Sequence, residues 1–140
     1  MAEEVVVIEK IIAKEPLTKE MIDAGANVLR HLNKANFDVQ AALWIYRLES
    51  NSWRLVFALP EVEKEGPLKS YTKIRRILSQ IPDTQPRLNL SDIKVSETNH
   101  GLITALRNGN SLANKEFPQH AYHVGGSDHH VDEGYIYQLR

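Results

Sequence analysis

The sequence predicts an α+β fold, with an antiparallel sheet of about four to five strands and helices packed mainly against one face. Three observations carry this expectation. Apolar residues recur at helical spacing in residues 19–33 and 67–81, strand-like runs rich in aromatic and aliphatic residues occupy 37–48 and 53–59, and a short polar turn joins those two runs. At 140 residues the chain is near the usual size of one domain, so residues 1–140 are read as a single unit.

Taken in order, residues 5–14 place Ile8, Ile11 and Ile12 at helical spacing, although their β-branched density also suits a strand; a helix is preferred. Pro16 interrupts, and Thr18 is placed to cap a helix over 19–33. Met21, Ile22, Gly25, Leu29 and Leu32 share one face of that helix, and Leu17 and Ile22 sit where a hydrophobic staple would hold its start. The runs 37–48 and 53–59 flank Glu49-Ser50-Asn51-Ser52 and read as a β-hairpin. If its turn pairs Leu48 with Trp53, alternation puts Trp44, Tyr46, Leu48, Trp53, Leu55 and Phe57 on one face, and Leu43, Ile45, Arg47, Arg54, Val56 and Ala58 on the other. Both faces are apolar near the sheet centre, so each needs a cover: helices on one side, and on the other the remaining chain, a second subunit or a ligand.

Gly66-Pro67 opens the helix over 67–81, with Leu68, Tyr71, Ile74, Ile77 and Leu78 on its apolar face. A turn-rich link follows, then a strand over 88–95 interrupted at Ser91-Asp92, and a short helix over 98–107 stopped by Asn108-Gly109. Residues 120–124 and 135–139 have strand composition, with a polar loop between them that contains Gly125-Gly126 and residues 128–133.

Composition narrows the function classes. The chain is 42% hydrophobic and 25% charged, as globular proteins are, and its 17 basic and 18 acidic side chains leave a net charge of −1. No global field therefore favours nucleic acid or an anionic membrane. The absence of cysteine excludes disulfides, thiolate metal sites and a cysteine nucleophile, and no cofactor is expected. Met1-Ala2-Glu3-Glu4 is acidic where a secretory signal would be basic, and no stretch approaches the roughly 20 apolar residues of a transmembrane helix, so a cytoplasmic protein is expected. The G-x-S-x-G, G-x-x-x-x-G-K-[ST] and H-E-x-x-H patterns do not occur.

Three sets of residues are candidate sites. The aromatic face of Trp44, Tyr46, Trp53 and Phe57 could receive a protein partner or a small apolar ligand, with Trp53 at the turn end best placed to reach an interface. Lys69, Lys73 and Arg76 follow i, i+4 and i+7 and form a cationic row, read first as a solvated helix face and second as a phosphate contact. His120, His123, His129 and His130, with Asp128, Asp132 and Glu133, offer imidazole and carboxylate to a metal. On a strand, however, an i, i+3 pair such as His120 and His123 points to opposite faces.

The segments A-G-A-N-V-L-R-H-L, A-A-L-W-I-Y, W-R-L-V-F-A-L-P and G-P-L-K-S-Y, with the terminal Y-I-Y-Q-L-R, resemble short stand-alone bacterial proteins of uncharacterised function. Gln138 stands where that pattern has Arg. The resemblance implies a compact bacterial protein and carries over no reaction. The sequence therefore leads to an expectation of a non-enzymatic binding or adaptor protein, self-associating as a homodimer through its excess apolar surface. The alternative is a metal-dependent hydrolase or nuclease built on the C-terminal histidines.

Overall fold

The computed structural model describes residues 15–47, 50–109, 112, 114–124 and 130–140; the helix expected over 5–14 lies outside them, as does His129. Helix α1 (Lys19–Lys34) begins at Thr18, whose side-chain oxygen accepts a hydrogen bond from the Met21 amide at 3.1 Å and so satisfies one of the amides left without a helical partner. Strands β1 (Ala41–Arg47) and β2 (Ser52–Ala58) form the hairpin. Helices α2 (Pro60–Glu65) and α3 (Pro67–Gln80) follow, separated by Gly66, whose φ of 82° lies in the left-handed region. A 3-10 turn (Leu90–Asp92) leads into β3 (Ile93–Ser96), then α4 (Gly101–Asn108), β4 (Gln119–Val124) and β5 (Val131–Leu139).

The strands form one five-stranded sheet in the order β3-β2-β1-β5-β4. The sheet is mixed rather than purely antiparallel as expected, because β3 runs parallel to β2. The physical reason is the connection. The chain leaves β2 through α2 and α3, and such a crossover returns it to the sheet in its original direction, whereas a tight turn reverses it.

In the hairpin, Tyr46 pairs with Trp53 and Arg47 with Ser52, two residues away from the expected pairing of Leu48 with Trp53. Side chains alternate with period two, so this shift leaves every described residue of the pair on its expected face; Leu48 lies outside the described residues. Trp44, Tyr46, Trp53, Leu55 and Phe57 join Val28, Leu29 and Leu32 of α1 and Ile74 and Leu78 of α3 in one core. Leu43, Ile45, Val56 and Ala58 join Leu102, Ile103 and Leu106 of α4 in a second. The two long helices thus cover one face, and α4 covers part of the other. For that second face the remaining chain, a second subunit or a ligand was the expected cover, and α4 shows the remaining chain supplying at least part of it.

The β1–β5 register shifts between Ala42 and Leu43, which pair with Gln138 and Ile136, so Tyr137 is an extra residue in β5. Its hydroxyl donates to the Ile22 carbonyl of α1 at 2.6 Å and accepts from Trp44 Nε1 at 2.9 Å. A bulge re-aims a side chain in this way, and here it ties the first helix to the centre of the sheet. Burial raises the pKa of Tyr137 above its ordinary value. A raised folded-state pKa means that the stabilisation is complete below the unfolded tyrosine pKa of about 10 and is lost as pH rises beyond it. The wild-type protein should therefore lose stability above about pH 10, and in chemical denaturation at graded pH Tyr137→Phe should lose less over the same interval; equal slopes would contradict this role.

Among the described residues, no helix is long and apolar enough to cross a membrane.

Candidate functional site

The second sheet face has two halves. Its apolar half lies under α4, and where α4 ends the same face turns cationic. Arg47 is two residues beyond Ile45 on β1, Arg54 two residues before Val56 on β2, and Lys94 on β3 pairs with Val56. Alternation therefore points all three long basic side chains to the side of the second core. They line a cavity of about 390 Å³, together with Ile45, Ser50, Ser52 and Tyr71. Among the described residues, no acidic side chain lines it.

Local structure fixes this cavity from several directions. The Asn51 amide donates to the Arg47 carbonyl at 2.9 Å and closes the turn, with Asn51 at φ 48°, a conformation that asparagine tolerates better than most residues. The Tyr46 hydroxyl bonds the Asn51 side chain. Ser52 Oγ donates to Ser50 Oγ at 3.2 Å, which aligns two hydroxyls at the cavity wall. Arg54 Nη1 donates to the Ser91 carbonyl at 3.0 Å, so the guanidinium is oriented by the turn that precedes β3. Tyr71 of α3 accepts from the Val95 amide at 3.1 Å along the outer edge of β3.

The expected sites are placed differently from one another. Trp44, Tyr46 and Phe57 are at most 1% exposed and Trp53 is 7% exposed. These four residues therefore do not form the open surface expected for a partner or apolar ligand. They are the core beneath α1 and α3, and the Trp53 indole donates to the Glu15 carbonyl at 2.7 Å. Alternation finds the aromatic face but does not say what covers it. In the basic row, Lys73 pairs with Glu61 at 2.8 Å and Lys69 with Glu65 at 3.5 Å. A second cavity, of about 480 Å³, is lined by Lys64 and Lys73 but also by Asp38 and Glu61, so charges of both signs meet there.

The histidines divide. His120 packs edge-on against Tyr135 of the neighbouring strand, with ring centres 4.9 Å apart. His123, His130 and Asp132 instead converge, with one donor atom from each lying within 4.8 Å of the others.

Arg47 and Arg54 were legible on one face of the hairpin, but nothing local to Lys94 signals that a parallel strand brings it alongside them. Comparison with family models, curated proteins and solved structures gives no match.

Proposed function

We propose that the protein is a binding protein whose ligand is a small molecule bearing a phosphate or similar oxyanion, held by Arg47, Arg54 and Lys94. The observation that supports this reading is the charge of the cavity: three cations and two serine hydroxyls, with no acid among the described lining residues, in a chain of net charge −1. A concavity lined by several cations attracts an anion. Guanidinium groups present paired N–H donors that match two oxygens of a phosphate or carboxylate, whereas the lysine acts as a point charge. The cavity is of a size that suits a small ligand.

The test is a calorimetric titration with inorganic phosphate at low ionic strength. Saturable binding at one site is expected. Arg47→Ala and Arg54→Ala should each weaken it about tenfold or more, the scale of a lost charge-assisted hydrogen bond. Arg76→Ala should leave it unchanged. Equal losses from Arg76→Ala would mean that net charge, rather than the cavity, attracts the ion, and an absence of saturation would end the proposal.

A further inference from the structure

We infer that His123, His130 and Asp132 form a zinc site at the turn end of the β4–β5 hairpin. This site is separate from the anion cavity and does not depend on it.

The register puts the donors together. Tyr122 pairs with Glu133 and Val124 with Val131, which brackets His123 against Asp132 across the hairpin. His130 directly precedes β5. Its Nε2 lies 3.4 Å from Asp132 Oδ1, and its ring stacks on that of His123 with centres 5.7 Å apart and planes 22° from parallel. The backbone at His123 is unusual for a strand, with φ of 50°. A residue other than glycine in the left-handed region is uncommon, and histidine is among the side chains that enter it more readily than most. This conformation breaks the strand's regular alternation at the position where an imidazole meets the other two donors.

The chemistry and the distances agree with a tetrahedral ion. Zinc binds imidazole nitrogen and carboxylate oxygen at about 2.0–2.2 Å, which places neighbouring donor atoms of a tetrahedron about 3.3–3.6 Å apart. The His130–Asp132 separation of 3.4 Å already has that length. The remaining separations, at most 4.8 Å, close by rotation of the two imidazoles, which are exposed, while the half-buried Asp132 holds its place. Two nitrogens and one oxygen are donors of intermediate hardness, a set that takes zinc readily and calcium or magnesium poorly. Three protein donors leave the fourth position to water or a further ligand.

The geometry also says which histidine takes no part. His120, expected as a ligand beside His123, is held against Tyr135 and stacks near Tyr122 at 6.1 Å. It falls outside the converging group.

The test uses the full-length, tag-free chain, stripped with chelator and dialysed, then titrated with zinc chloride and separately with cobalt chloride. The expected result is one zinc retained per chain after gel filtration, with the intense visible absorption of four-coordinate cobalt. His123→Ala, His130→Ala and Asp132→Asn should each weaken binding by about tenfold or more, whereas His120→Ala should leave it within about twofold. These positions lie outside both cores, and far-ultraviolet circular dichroism confirms that each variant is folded. Loss of zinc on gel filtration, an adventitious ion only, would overturn the inference. So would an effect of His120→Ala as large as that of His123→Ala, which would indicate binding by histidine content and not by this arrangement.

Discussion

Trp44→Ala is expected to destabilise the protein by about 3–5 kcal/mol, the range for removing a buried large aromatic side chain. Typical domain stabilities are about 5–15 kcal/mol, so this one change would remove a large part of the total. The indole is 1% exposed and packs in the core between the sheet and the two long helices. Its Nε1 donates to Tyr137 Oη at 2.9 Å, so truncation opens a cavity and also removes a donor from a part-buried hydroxyl. Trp44→Phe separates the two effects. It keeps most of the apolar volume and loses the hydrogen bond, and about 1–2 kcal/mol of destabilisation is expected. Urea denaturation measures both. A cost below about 1 kcal/mol for the alanine variant would show that α1 and α3 do not bury this side chain as described.

Gly25→Ala is expected to destabilise, although the same change in an exposed helix interior stabilises by about 0.5–1 kcal/mol. A Cβ at Gly25 would fall on the Tyr137 hydroxyl, well inside contact distance, and 2.9 Å from Trp44 Nε1. The hydroxyl cannot simply withdraw, since it is held between the Ile22 carbonyl and the Trp44 indole. Overpacking of this kind costs about 1–3 kcal/mol, which exceeds the gain in helix propensity. Tyr137→Phe removes the nearest obstructing atom, so the cost of Gly25→Ala should fall by about 1 kcal/mol or more in that background. Strictly additive effects in the double-mutant cycle would mean that the helix and the bulged tyrosine do not meet.

How much of this was legible in the sequence depended on the range of the signal. Periodicity located α1 and α3, and the division of β1 and β2 into two faces survived a two-residue error in register because alternation has the same period. The strand expected over 88–95, interrupted at Ser91-Asp92, forms only after that interruption, from Ile93, because Leu90–Asp92 form a 3-10 turn in which the Asn89 amide donates to the Asp92 carboxylate at 3.1 Å. Pro60–Glu65, for which no element was expected, is a helix. It starts with proline at its first turn and ends at Gly66, a pattern that is plain once both residues are weighed together.

The sites were less legible than the elements. The expected aromatic surface was the right set of side chains with the wrong environment, because a sequence pattern identifies an apolar face without identifying its cover. The cationic cavity needs the parallel placement of β3, which no local pattern dictates. The histidine group fails the i, i+3 argument within one strand. It succeeds across the hairpin, where residue 123 faces residue 132, so reading the register instead of the spacing would have found it.

The most direct test of the anion-binding account is a two-dimensional amide NMR titration of the full chain with inorganic phosphate. The account predicts saturable shifts concentrated at Arg47, Ser50, Ser52, Arg54 and Lys94, with small changes along α3 at Lys69 and Arg76. Shifts spread evenly over basic residues, or none at the cavity under conditions where phosphate binds elsewhere, would contradict it.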